Sequence, residues 1–315
     1  MKSANQDMEV LERPAIQPYK IKQAMGGLEM GPSDEPLLKY VGFFSGLIPV
    51  EAAYFLHVVP NFDLFLSLYS KETRALAGQY ILNENLRQRM KEMIARNVPK
   101  ENKIDIEYDV REGNPLTELL LDAKETNADL VVIGKKGKHE NHAILAKNLV
   151  RKVKCNALVV PNAATHSLKK ILVPIDFSKH SINALQTAIA INKQLKEPAE
   201  IICLNIYDMP DIASFKLSKT REQFRHMIEE DRMLAFDAFL NTYAHGEQVK
   251  KVLVQKEMPR TPHYIMEYAS ENEIDFMVMG AKGHSKVELL FMGSVTEKLL
   301  TINNSIPTLI VKKKY

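Results

Sequence analysis

The sequence predicts an α/β fold: two tandem doubly wound three-layer sandwiches, each built on a five-stranded parallel sheet. Three observations predict it. The chain has 315 residues, enough for two domains of about 150 residues with a core each. Short apolar runs alternate with longer helical patterns, as βαβ units require. The chain also repeats itself: Ala128-Asp129-Leu130-Val131-Val132-Ile133-Gly134-Lys135-Lys136-Gly137 matches Ile274-Asp275-Phe276-Met277-Val278-Met279-Gly280-Ala281-Lys282-Gly283 at an offset of 146. Ile21 with Ile171, Phe55 with Cys203 and Leu158 with Leu309 keep nearly that offset. The right-handed crossover rule then leaves a doubly wound sheet in each half.

In the first half, strands are predicted near 19–25, 52–59, 102–110, 128–134 and 157–161. Tyr40 to Pro60 is almost uncharged and as long as a membrane span, but it contains Gly42, Ser45, Gly46, Pro49 and Glu51. It divides into a helix end and the strand Ala52 to Val59. In the second half, strands are predicted at 169–175, 200–207, 249–256, 274–280 and 307–312, with helices at about 180–195, 215–245, 260–272 and 293–303. The resulting division is an N-terminal arm over 1–17, a first domain over 18–162, a linker over 163–167 and a second domain over 168–315.

Composition narrows the function. A net charge of +3 argues against nucleic acid as a partner. The first twenty residues lack an apolar core, so no signal peptide is expected, and neither is a membrane. Cys155 and Cys203 sit in apolar surroundings and read as core residues of a cytoplasmic protein. The nine histidines show no ligand spacing, so no metal site is expected in the protein itself.

The stretch with chemical content is Gly280-Ala281-Lys282-Gly283, nine residues, then Gly293-Ser294. It joins the apolar strand ending at Met279 to a helix beginning near Ser294. Such a loop gathers backbone N–H groups and a helix N-terminus, which together hold phosphate. A second reading needs no ligand: Ser294-Val295-Thr296-Glu297 has the spacing of a capping box. Ligands of doubly wound sheets bind outside the carboxyl ends of the strands, where strand order reverses. Strand 1 of the second half ends at Asp176.

Together, strand, Gly-x2-Gly-x9-Gly-Ser, helix and Ile306-Pro307-Thr308-Leu309-Ile310-Val311, with Lys169-Lys170-Ile171-Leu172-Val173-Pro174-Ile175-Asp176-Phe177-Ser178 upstream, resemble a universal stress protein domain of the ATP-binding type. The resemblance covers residues 168–313. It implies strand order 3-2-1-4-5, which brings Asp176 and the glycine loop into one cleft, and it implies ATP, with or without magnesium, as the ligand.

On that resemblance Asp176 accepts from a ribose hydroxyl or an adenine edge, with Ser178 or Ser181 left to cap the following helix; the alternative makes Asp176 the cap. Ile206, Pro174 and Ile175 offer adenine an apolar surface. Gly280, Gly283 and His284 line the phosphate path, and Gly293, Ser294, Val295 and Thr296 present the helix start. Met279 is counted with the site, although Met277, Met279 and Met292 also read as core filler.

The first half departs from this pattern. With Ile21 set against Ile171, Gly26 stands in the place of Asp176, and Lys147-Asn148 in the place of Gly293-Ser294. It reads as a degenerate copy, kept for packing against the second half or for a different ligand.

The function expected is a stress-response regulator or sensor that binds an adenine nucleotide in its second domain without fast catalysis. Gly134-Lys135-Lys136-Gly137-Lys138 lacks the G-x4-G-K-[ST] spacing of a Walker loop, and no base is positioned for rapid hydrolysis. A slow ATPase, an adenylate-handling enzyme and a scaffold with a vestigial site remain the alternatives. The expected partners are the nucleotide and, within the chain, the other domain, with a homodimer left open.

Overall fold

The structure, a computed structural model, describes residues 16–59, 79–136, 140–209, 221–283 and 292–312. The first half runs β1 (Ile21–Leu28), α1 (Asp34–Ser45), β2 (Val50–Val59), α2 (Gln79–Asn97), β3 (Asp105–Glu112), α3 (Pro115–Glu125), β4 (Leu130–Lys135), α4 (Glu140–Lys152) and β5 (Asn156–Pro161). The second runs β6 (Lys170–Pro174), α5 (Lys179–Asn192), β7 (Glu200–Asp208), α6 (Arg221–Tyr243), β8 (Lys250–Lys256), α7 (Thr261–Glu271), β9 (Phe276–Gly280), α8 (Ser294–Ile302) and β10 (Thr308–Val311). Most of the expected arm, and the start expected for the helix at 215–245, lie outside the described residues. Among those residues no helix is long and apolar enough to cross a membrane.

Sequence sets the helix starts. α3 opens with Pro115 in its first turn, where no N–H is needed, and Asn114 accepts from the Thr117 N–H at 3.2 Å. α5 is capped by Ser178, whose hydroxyl accepts from the Ser181 N–H at 3.3 Å. The central strands β4, β5, β9 and β10 are apolar almost throughout because both their faces are covered.

All ten strands form one sheet in the order β3-β2-β1-β4-β5-β10-β9-β6-β7-β8. Each half is parallel and has the order 3-2-1-4-5. The fifth strands join the halves antiparallel, with Leu309 opposite Leu158. Helices α1, α2, α5 and α6 cover one face through Leu38, Phe44, Met90, Ile189 and Phe236. Helices α3, α4, α7 and α8 cover the other through Leu119, Leu149, Ile265 and Leu299. Both cores run across the joint; Phe44 stacks on Phe276 with ring centroids 5.8 Å apart.

The register corrects one equivalence between the halves. The Asp129 carboxylate accepts from the N–H groups of Lys22 and Gln23, as the Asp275 carboxylate does from Lys169 and Lys170. Ala24 lies opposite Leu130 as Ile171 lies opposite Phe276. Counting on, Glu29 and not Gly26 stands where Asp176 stands. Gly26 is instead a strand residue whose added Cβ would meet the Phe55 ring at 2.7 Å.

Two lysines, Lys135 buried and Lys312 partly buried, clasp the joint. Lys135 Nζ donates to the carbonyls of Thr301 (2.9 Å) and Asn303 (2.5 Å) at the end of α8. Lys312 Nζ donates to the carbonyls of Val150 and Val153 at the end of α4, the second at 2.6 Å. Cations suit helix C-termini, yet burial pulls both ammonium groups down to about 8. An unfolded lysine keeps its proton to about 10.5. Between those values the unfolded chain binds more protons, so stability should rise with pH from 8 toward 10.5, and the cost of the buried charge is fully present below 8. Melting temperatures across that window should therefore rise more steeply for the wild type than for Lys135→Met. Parallel curves would contradict this.

Candidate functional site

Outside the carboxyl ends of β6, β7 and β9 lies a cavity of about 270 Å³. Pro174, Ile175, Asp176, Ile206, Met279, Gly280, Gly283, Gly293, Ser294, Val295 and Thr296 line it. Residues from the two ends of the second half thus meet at the point where strand order reverses. His284 lies outside the described residues.

Each side is held by local bonds. The Ile175 N–H donates to the Leu204 carbonyl at 2.8 Å, and the buried Asn205 amide donates to the Ile175 carbonyl at 2.7 Å. This fixes the chain just before Asp176. Phe177 takes a φ of 63°, a left-handed turn, and packs its ring on Phe236 and Phe239 of α6. Asp176 Oδ1 accepts from the Ser178 N–H at 3.0 Å. Since Ser178 caps α5, Asp176 is not the helix cap.

The glycines differ in what they do. A Cβ on Gly283 would lie 2.5 Å from Asp176 Oδ2, so the loop approaches the carboxylate as only glycine allows. A Cβ on Gly280 would meet the His180 backbone at 2.7 Å; this glycine lets α5 lie against β9. Gly293 has φ −75° and ψ 153°, and a Cβ there would meet its nearest atom at an ordinary 3.4 Å. Neither strain nor crowding requires a glycine at 293.

Gly293 is the N-cap of α8, and no side chain caps that helix. The capping box read at Ser294-Val295-Thr296-Glu297 does not form. Ser294 is already helical, and Glu297 turns to Lys147 and Arg151 at 3.3 and 3.9 Å. The Thr296 hydroxyl donates to the Gly280 carbonyl at 3.0 Å and ties the helix start to the end of β9. The first turn of α8 thus borders the cavity with its positive dipole end and no side-chain acceptor.

Sequence reasoning did not select Leu204, Ser181, Thr261, Ile265 and Lys282, which complete the lining. Thr261 and Ile265 come from the start of α7, which carries no chemical motif. Lys282 lies between two glycines of the loop. His180 packs against Gly280 beside these residues. Burial lowers its pKa, Lys282 adds to that and Asp176 opposes it, and its buried Nδ1 has no hydrogen-bond partner.

A second correction concerns the first half. The Val153 N–H donates to the Leu149 carbonyl as the Asn303 N–H does to that of Leu299. Counting back along both helices, Ala143-Ile144, not Lys147-Asn148, replaces Gly293-Ser294. Leu145 lines the first-half cavity as Val295 lines the second. Lys147 adds nothing to a phosphate path; it pairs with Glu297 across the joint.

The sequence profile of the Universal stress protein family matches residues 51–161 and 167–312. Universal stress protein MJ0577 of Methanocaldococcus jannaschii is 30% identical over 162 residues, covering 46% of this chain and 96% of that protein. Universal stress protein MJ0531 of the same organism is 28% identical over 146 residues, covering 46% and 82%. A crystal structure of a universal stress protein from Archaeoglobus fulgidus superposes over 92% of this chain and 96% of its own, with a TM-score of 0.62 at 19% identity, a likeness of fold.

Proposed function

The chain belongs to the universal stress protein family, and from that premise we propose that it acts in a stress response by binding ATP in the cavity of its second half. The observation that carries this reading is the meeting of Asp176 with an uncapped helix start across Gly283. These residues fit an adenine nucleotide. The first turn of α8, with Gly283 and Lys282, would hold phosphates, and Asp176 would accept from the ribose or base. Pro174, Ile175, Ile206 and Ile265 would face the apolar ring. Magnesium, where it accompanies ATP, would be held by the phosphates and water, as it usually is in nucleotide sites.

The role proposed is binding, not rapid turnover, in a cytoplasmic protein with the domain limits read from the sequence. Asp176 is engaged with the turn at Ser178, which supports a positioning role over that of a base.

Gly293→Val tests the reading. The backbone there tolerates a side chain, so the variant should fold with nearly unchanged melting temperature. The added methyl groups would crowd the approach to the helix start and weaken ATP binding about tenfold, equivalent to about 1.4 kcal/mol. Calorimetry showing unchanged affinity in a folded variant would remove Gly293 from the site.

A further inference from the structure

The first half has its own cavity, of about 420 Å³, outside the ends of β1, β2 and β4. It is the counterpart of the nucleotide cavity proposed above and is the larger of the two. Three features of this cavity disfavour a phosphate.

The helix start is the first. α4 begins at Glu140, so the chain is already helical at Ala143-Ile144, the counterparts of Gly293-Ser294. From Ile144 onward the N–H groups have intrahelical carbonyls as partners. The lysine is the second: Lys136, the counterpart of Lys282, forms an ion pair with Glu29, the counterpart of Asp176. The third is the turn after β1. There the buried Asp34 carboxylate accepts from the N–H groups of Glu29 at 3.1 Å and Gly31 at 3.0 Å, filling the concavity an anion would need.

Among the described residues the rest of the lining is mostly apolar; its other polar side chains are Ser33 and His57, whose Nδ1 lies 2.8 Å from the Leu28 carbonyl oxygen. Leu37, Leu56, Val58, Leu119, Ile133 and Leu145 form the walls, with the Glu29–Lys136 pair at one side. Volume and lining both suit a small-molecule pocket, a few hundred Å³ with apolar walls and few polar groups. We propose that this cavity is a second ligand site that takes an uncharged, largely apolar small molecule and rejects phosphate-bearing ones. The two halves would then have diverged in ligand while keeping one fold.

Methyl NMR on the full chain, with labelled leucine and isoleucine, tests this with indole as the uncharged probe and inorganic triphosphate as the anionic one. Indole at about millimolar concentration should shift the methyl signals of Leu37 and Ile133, and triphosphate should leave them in place. Leu145→Phe, which fills part of the cavity, should weaken the indole response about tenfold. Triphosphate shifting Leu37 and Ile133, or indole leaving both unmoved, would overturn the proposal. The wild-type titration decides this whether or not the variant folds. Its outcome is independent of ATP binding in the second half, which would be read at Ile206 and Ile265.

Discussion

Asp176→Ala is expected to weaken ATP binding ten- to a hundredfold and to leave the fold nearly as stable as before. The affinity loss corresponds to about 1.5–3 kcal/mol, the worth of a hydrogen bond to a charged group. The stability loss should be small because Ser178, not Asp176, caps α5. The turn bond from the Ser178 N–H to Asp176 is worth about 1 kcal/mol. Inorganic triphosphate should bind the variant almost as well as the wild type, since the loop and helix start remain. Calorimetry and thermal melting on one preparation give both quantities. A variant that loses stability and keeps its ATP affinity would make Asp176 a structural residue.

Gly280→Ala should have the opposite profile, a large loss of stability. The new Cβ would lie 2.7 Å from the carbonyl carbon of His180 and 2.8 Å from its oxygen. Those are backbone atoms, so α5 must move away from β9 as a body. Overpacking of this kind costs about 1–3 kcal/mol, several degrees in melting temperature. Gly134→Ala is the internal control. Gly134 lies near the end of its strand in the same sequence motif, but its Cβ would meet nothing closer than Leu37 Cδ2 at an ordinary 3.6 Å, with Leu37 Cβ at 3.8 Å and the Ser33 carbonyl oxygen at 4.0 Å. If both substitutions cost the same, the close approach at Gly280 is not what demands glycine there.

The strands and the glycine loop were legible because they depend on local pattern. Unbroken apolar runs gave β4, β9 and β10, and Gly-x2-Gly-x9-Gly-Ser marked the loop. Register between the halves was not legible. Ile21 and Ile171 both open an apolar strand, and nothing local reveals that the true counterpart of Ile171 is Ala24. Register is fixed by Asp129 and Asp275, each about a hundred residues from the N–H groups it binds.

The false match of Lys147-Asn148 to Gly293-Ser294 has a related cause. The strand offset was carried through a connection that is longer in the second half, and only the helix ends restore the count. The capping box failed for another reason. Its spacing is present, but Gly293 takes the cap position one residue earlier and Glu297 is drawn to Lys147 and Arg151 of the other half. Tertiary charge there overrides a local motif. The α7 wall, Thr261 and Ile265, follows from topology alone.

The account's central claim is that the second half holds the nucleotide and the first does not. A calorimetric titration of the full chain with ATP tests it most directly. One ATP per chain, with the heat abolished or strongly reduced by Asp176→Ala and untouched by Glu29→Ala, is the result predicted. Two ATP molecules bound per chain, a response that follows Glu29 rather than Asp176, or no binding at all would contradict it.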